Sequence, residues 1–388
     1  MIVLVVNCGS SSVKIDILES ETGDRIFRAK AQRIGTQLCQ IRIDDWTLPL
    51  PGADHEKAIE TIFQQTSLEG VTAVGHRVVH GGEKFSAPIR IDETVERSIE
   101  ELIPLAPLHN PANLAGIRAA RKHLPDRPHV AVFDTAFHHT LPRCARTYAI
   151  AKDLREKHGI RRYGFHGTSH RWVARRAADF LHEDLRNLRL ITCHLGNGCS
   201  ITAVEHGRSV ETSMGMSPLE GLVMGTRCGD IDPGVLLTLQ RHAGLTVDEL
   251  DHLLNKESGL LGLSGISNDM RDIEQRAAEG DESCQLAIRV FCHRLLKYIG
   301  AYIAVMEGVD AIIFTAGIGE NSASVREQVC QHLGFFGARL HEERNREASV
   351  DRLKPVALIS TDHSQTRLLV VATDEAHAIT RETEEVLK

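Results

Sequence analysis

Short, nearly continuous runs of aliphatic and β-branched residues recur along this chain, and they are the feature that most limits how it folds. They occupy residues 2–6, 13–18, 73–79, 129–133, 188–193, 200–205, 311–315 and 368–372. Runs with little polar alternation suit strands buried on both faces, as in parallel sheets covered by helices. Between them, residues 95–103, 112–123 and 168–181 space their apolar side chains by three or four, and 282–306 reads as one long helix. Thr246 with Glu249, and Ser324 with Glu327, fit the capping box that satisfies free N–H groups at a helix start. The alternation predicts an α/β fold with helices on the sheet faces. At about 150 residues per domain, 388 residues make two domains or one large one.

The strand ends say more than the strands. The first run leads to Asn7, Cys8 and Gly9; the third carries Arg77 and reaches His80, Gly81 and Gly82. Asp134 follows residues 129–133, His194 and the Gly196-Asn197-Gly198 turn follow 188–193, Gly317 to Asn321 follow 311–315, and Asp374 and Glu375 follow the last run. Ligands of open α/β sheets sit beyond the carboxyl ends of strands. A turn belongs at any one such end, but six together predict a cleft assembled from the whole chain. The plan strand, small-residue turn, strand appears twice, in VNCGSSSVK (6–14) and HLGNGCSIT (194–202). Glycine lets backbone approach an anion, and exposed N–H groups with hydroxyls donate to its oxygens. We read two phosphate-facing turns, one per domain, with a boundary near residue 150.

Other classes fall away. No G-x-x-x-x-G-K-[ST] is present, and no G-x-G-x-x-G opens a helix after the first strand, which disfavours P-loop and Rossmann enzymes. With 45 basic and 52 acidic residues the formal charge is −7, which gives no strong bulk attraction to nucleic acid or anionic membrane. The start lacks a basic n-region and no apolar run nears ~18 residues, so we expect a soluble cytoplasmic protein. Nine scattered cysteines without a C-x-x-C pair read as reduced thiols.

Arg77 and Arg227 both lie in glycine-rich, non-helical settings, where a guanidinium can grip carboxylate or phosphoryl oxygens with two hydrogen bonds. His166 precedes a helix start at Thr168 or Ser169, a position suited to donating to a phosphoryl group. His166 and His170 have the i,i+4 spacing of zinc proteases, but Gly167 stands where the required Glu would be. Asp134 and Glu375 at strand ends suit Mg²⁺, which prefers hard oxygen ligands; Asp374 fits a helix cap.

At this point the sequence resembles the acetate and propionate kinase family, within the sugar kinase, Hsp70 and actin superfamily. The matching segments run from end to end: NCGSSSVK (7–14), GHRVVHGGEKF (75–85), LAPLHNP (105–111), VFDTAFH (132–138), RRYGFHGTSH (161–170), CHLGNGCSI (193–201), ETSMGMSPLEGLVMGTRCGDIDP (211–233), SGLLGLSGISNDMRD (258–272), IIFTAGIGENSASVR (312–326) and ATDEAHAI (372–379). The resemblance implies two similar actin-like or ribonuclease H-like α/β domains flanking a cleft: residues 1–150 with the C-terminal helix 376–388 on the substrate side, and 151–375 on the nucleotide side. It implies Mg²⁺ (or Mn²⁺) at Asn7 and Glu375, and a nucleotide contact from Lys14. Arg77 matches the position that binds the substrate carboxylate, and Asp134, His166 and Arg227 match the catalytic positions. His194, Leu195, Gly196, Asn197 and Gly198 match the phosphate loop. Asp269, Met270 and Arg271, with Gly317, Ile318, Gly319, Glu320 and Asn321, match the nucleotide segments. Val79, Leu108, Phe165 and Pro218 match the apolar pocket for the substrate methyl group.

The activity so implied is Mg²⁺-dependent, reversible phosphoryl transfer from ATP to acetate, giving ADP and acetyl phosphate, in a homodimer. A propionate or butyrate kinase of the same family is the near alternative, and a non-catalytic ATP-binding switch of the Hsp70 or actin type the remote one. Two departures stand out. Asp374 fills a slot that is often Asn in the family, and residues 33–69 show little resemblance, which makes them a decoration of the first domain.

Overall fold

The computed structural model describes residues 1–44 and 46–388. One sheet holds β1 (Ile2–Gly9), β2 (Ser12–Glu19), β3 (Arg25–Gln32), β4 (Gln40–Ile43), β5 (Trp46–Pro49), β6 (Ala73–Val78), β7 (Ile89–Arg90) and β8 (His129–Phe133). A second holds β9 (Arg189–Leu195), β10 (Cys199–Glu205), β11 (Arg208–Thr212), β12 (Ala311–Thr315), β13 (Val356–Leu358) and β14 (Arg367–Val371). The first sheet runs β5-β4-β3-β2-β1-β6-β8-β7 and the second β11-β10-β9-β12-β14-β13.

The repeat hinted at by the two hairpins is topological. β3-β2-β1-β6-β8-β7 and β11-β10-β9-β12-β14-β13 share one plan: an antiparallel meander of three strands, two parallel additions, and an antiparallel edge. Residues 33–69 supply β4, β5 and the helix His55–Gln64, so they do extend one edge of the first sheet. The chain divides into two compact units, 1–139 with 167–169 and 374–388, and 140–166 with 170–373.

Side-chain alternation explains the unbroken apolar run of β1. Leu4, Val6 and Cys8 enter a core shared with Ile59 and Ile62 of the helix His55–Gln64 and Ala119 and Ala120 of the helix Asn110–His123. Val3 and Val5 point the other way, to Ala376 and Ile379 of the C-terminal helix Glu375–Leu387. Gly75 on β6 lets that helix lie close: a Cβ there would sit 2.5 Å from Thr383 Oγ1 and 2.7 Å from Ile379 Cγ2. In the second unit the helix Glu282–Val305 packs on β10.

Two expectations change in detail. The strand β1 continues to Gly9, which pairs with Ser12 across a two-residue turn. The capping box at Thr246 and Glu249 is present, but the one at Ser324 and Glu327 is not. That helix spans Ala323–Cys330 and its cap is Ser322, whose hydroxyl accepts from the Val325 N–H. Two serines of equal capping chemistry lie two residues apart, and the chain path out of Asn321 selects the earlier. Among the described residues, no helix is long and apolar enough to cross a membrane, and all nine cysteines are free.

Candidate active site

In the first unit the ends of β1, β6 and β8 are adjacent, because these strands are parallel neighbours. They bring Asn7, Arg77 and Asp134 together. Arg77 Nη2 donates to Asp134 Oδ2 at 2.6 Å and Nε donates to both carboxylate oxygens at 3.1 Å. Arg77 Nη1 donates to Asn7 Oδ1 at 3.2 Å and lies 4.0 Å from Glu375 Oε2. Asn7 Nδ2 donates to Glu375 Oε2 at 3.4 Å. Burial disfavours the Arg77 cation, but Asp134 and Glu375 outweigh it and hold the guanidinium above its ordinary range. Burial raises the Asp134 carboxyl, and Arg77 opposes that shift. Of the five N–H donors of a guanidinium, three are engaged here, which leaves one on each terminal nitrogen for a second oxyanion.

A divalent cation fits this cluster. Asn7, Glu375 and Asp134 offer hard oxygens, and two carboxylates against one guanidinium leave a net negative charge. Among the described residues no group of three or more His, Cys, Asp and Glu side chains could hold a metal. Asp374 is the N-cap of the C-terminal helix and pairs with Arg25 at 3.2 Å, so its charge is matched there.

Two asparagines of the LHNPANL segment went unassigned in the sequence. Asn113, buried at 2%, accepts from the Val79 N–H at 2.9 Å and donates to the Cys8 carbonyl at 2.6 Å. Asn110 donates to the His80 carbonyl and accepts its N–H. Together they pin the loop after β6 and seat Val79, which is buried, while Leu108 nearby in sequence is half exposed. The available signal was a pair of polar residues three apart on the apolar face of a helix.

In the second unit His194 and Leu195 end β9, and the turn Gly196-Asn197-Gly198 leads into Cys199 and Ser200 of β10. His166 is the N-cap of the helix Gly167–Leu181, one residue earlier than expected, and holds a left-handed backbone (φ 56°). A non-glycine residue pays strain for that conformation, which fixes where the ring projects. Its ring stacks on His194 with centroids 4.3 Å apart. His166 Nδ1 lies 2.9 Å from Ser200 Oγ, which is also 2.7 Å from His170 Nε2; His170 Nδ1 is 2.7 Å from Thr192 Oγ1. The i,i+4 histidines therefore share a serine. A Cβ added at Gly198 would sit 3.3 Å from His166 Cε1 and 3.6 Å from Arg227 Nη1, so both residues border this one glycine.

Arg227 Nη1 donates to the Pro218 carbonyl at 2.9 Å. Burial lowers the affinity of its guanidinium for the proton, and it meets no carboxylate among the described residues. A half-buried cation without a carboxylate partner favours an added anion. Phe165 is buried and Pro218 half-buried in this unit.

A cavity of ≈ 670 Å³ in the same unit is lined by Gly196, Asn197, Asp269, Met270, Arg271, Gly317, Ile318 and Asn321, with Asn268, Glu274 and Ser322. Gly319 and Glu320 do not line it. Glu320 instead accepts from the N–H groups of Ala316 and Thr373, both at 2.9 Å. Arg326, buried at 1%, holds the short helix Ala316–Asn321 by donating to the Gly319 and Glu320 carbonyls at 2.9 Å. Lys14 belongs to the first unit, where it is exposed on β2 opposite Asn7.

Comparison with known proteins adds identity to geometry. A family model described as the acetokinase family matches residues 2–381. The acetate kinase of Pseudothermotoga lettingae is 48% identical over 401 residues, covering 100% of this chain and 98% of that protein. Among solved structures, the acetate kinase of Porphyromonas gingivalis superposes with a TM-score of 0.94 at 43% identity, covering 100% of both chains. A propionate kinase from Francisella tularensis gives 0.93 at 40% identity over 99% of each.

Proposed function

The chain belongs to the acetokinase family, and on that premise we propose that it transfers the γ-phosphoryl group of ATP reversibly to acetate, giving ADP and acetyl phosphate. The reading rests at the site on one observation: a half-buried guanidinium that meets no carboxylate among the described residues, Arg227, shares Gly198 with the ring of His166. Such a pair favours an added anion, and a phosphoryl group in flight spreads charge over three equatorial oxygens.

Acetate is already an anion, so no base is needed to make it a nucleophile. The barrier lies in bringing two anions together and holding charge in the transition state. Arg77 orients the acetate oxygens with the donors that Asp134 and Asn7 leave open. Asp134 acts by fixing Arg77 rather than by taking a proton. Asn7 and Glu375 hold a divalent metal, Mg²⁺ or Mn²⁺, which supplies neutralising charge to the phosphates when bound. The turn 194–198 receives the nucleotide phosphates, and the cavity beside it receives the rest of the nucleotide, with Lys14 a further contact.

His166 donates to the phosphoryl group through Nε2, and its neighbours set that proton. The chain Thr192, His170, Ser200, His166 is self-consistent in two directions. In one, each hydroxyl and imidazole donates toward His166, so Nδ1 accepts and Nε2 carries the proton. In the other every donor is reversed. A phosphoryl oxygen at Nε2 selects the first, in which the ring meets the anion as a donor.

Val79 and Leu108 in the first unit, and Phe165 and Pro218 in the second, match the family's positions for the substrate methyl group. The β-branched Val79, held by Asn113, leaves room for one carbon. We place the enzyme in the cytoplasm as a homodimer on family membership. A hydroxamate assay for acyl phosphate with acetate, propionate and butyrate in parallel tests the function. We expect acetate to lead propionate by about 10- to 200-fold in kcat/KM, the range one methylene allows. Propionate equal to or better than acetate favours the propionate kinase reading, and ATP turnover indifferent to the acid favours the switch.

A further inference from the structure

Four residues of the first sheet stand in one cross-strand row. Asn7 of β1 faces Lys14 of β2, Lys14 faces Lys30 of β3, and Lys30 faces Arg42 of β4. Residues directly opposite project to the same face, so three cations run in file from β4, one strand in from the sheet edge, to Asn7, which accepts from Arg77. Like charges in direct register are destabilising. They persist here in a chain whose net charge is −7.

Among the described residues no ion pair neutralises the row. Among the described residues Lys14, Lys30 and Arg42 meet no carboxylate; the Arg42 Nε donates to the Asp44 backbone carbonyl. The nearby acids are engaged: Asp16 receives Arg25 and Arg28, both at 2.7 Å, and Asp374 receives Arg25. Partial burial and the positive charges of Lys14, Arg28 and Arg42 depress the Lys30 ammonium below its ordinary value. Lys14 and Arg42 are exposed, so the row presents its charge to solvent.

We propose that Lys30 and Arg42 form an electrostatic guide that raises the encounter rate of small multivalent phosphorylated anions, acetyl phosphate first among them, with the Asn7–Arg77 cluster. This rests on the kinase reading above and deepens it. Strands lie about 4.8 Å apart, which puts Lys30 roughly 10 Å and Arg42 roughly 15 Å from Asn7. In water without salt, one positive charge at 10 Å enriches a dianion about fourfold and a monoanion about twofold. At 15 Å the figures are about 2.5-fold and 1.6-fold. The guide therefore discriminates by substrate charge, and acetate gains least.

The test is kcat/KM for acetyl phosphate and for acetate at about 10 mM and about 0.5 M salt, in the wild type, Lys30→Gln, Arg42→Gln and the double variant. At low salt the double variant should lose about tenfold toward acetyl phosphate and about threefold toward acetate, with kcat unchanged. Lys30→Arg keeps the charge and should keep the rate. At 0.5 M salt, where screening acts within about 4 Å, the variants should match the wild type. Equal losses for both substrates, losses that persist at high salt, or variants equal to the wild type at low salt overturn the guide. Arg42→Gln alone carries the same comparison if Lys30→Gln fails to fold. A wild type that turns over neither substrate at high salt overturns the kinase reading instead.

Discussion

Ser200 shows how much a single hydroxyl carries when two histidines share it. It lies 2.9 Å from His166 Nδ1 and 2.7 Å from His170 Nε2, so its loss frees the His166 ring to take either tautomer. We expect Ser200→Ala to lower kcat by roughly 5- to 30-fold, the worth of one buried hydrogen bond, with the ATP KM within about twofold of wild type. Steady-state kinetics with acetate decide it, and an unchanged kcat removes Ser200 from the relay. Arg77 needs a different reading. Truncating it strands the buried Asp134 carboxylate, a cost of about 3–5 kcal/mol, so lost activity in such a variant mixes acetate binding with stability. Residue chemistry was legible where a side chain had little other reason to sit at a strand end, as with Arg77 and Asp134, or in a glycine-rich segment, as with Arg227. Asn110, Asn113, Ser200 and Arg326 were not, because their role is to hold another residue, and sequence does not print which side chain faces which.

At the scale of elements, packing rather than propensity sets the tolerances. Gly75 lies under the C-terminal helix with no room for a methyl group. Gly75→Ala should cost about 1–3 kcal/mol by overpacking, with kcat/KM preserved below the transition. Urea denaturation checks the first half and assay of the folded fraction the second; a neutral variant would mean that the helix shifts freely on β6. Element positions were largely readable from hydrophobic runs, because strands buried on both faces leave few polar interruptions. Termini were less so. Ser322 and Ser324 are chemically equal as caps, and only the turn leaving Asn321 chooses between them.

Across the whole molecule, acid should destabilise the fold through a buried pair. His76 Nε2 and His129 Nδ1 are 2.9 Å apart, both rings are buried, and His76 Nδ1 has no partner among the described residues. Burial pushes both imidazoles below their ordinary value, His76 well below, and Arg121 adds to both shifts. The unfolded chain binds protons at these residues near pH 6.5 while the folded chain does not. Stability is therefore complete above that pH and falls as pH drops through it, by up to about 1.4 kcal/mol per pH unit for each histidine. Unfolding free energies from urea titration at pH 7 and 5.5 should differ by about 1–2.5 kcal/mol, and His76→Gln with His129→Gln should flatten the difference. An acid limb of the same slope in the double variant assigns it elsewhere.

Local patterning by itself determined the α/β class, the positions of eight of the fourteen strands (but not β3, β4, β5, β7, β11 and β13, whose polar or very short runs carry no such signal), the two hairpin turns and the residue types at the strand ends. Those follow from which side chains can be buried and which backbone can turn, and both are written residue by residue. The cross-strand register, the sharing of Ser200 by two histidines and the meeting of His166 and Arg227 at Gly198 came only from the tertiary structure. They depend on contacts between residues tens to hundreds of positions apart, which the folded backbone fixes and no local pattern encodes.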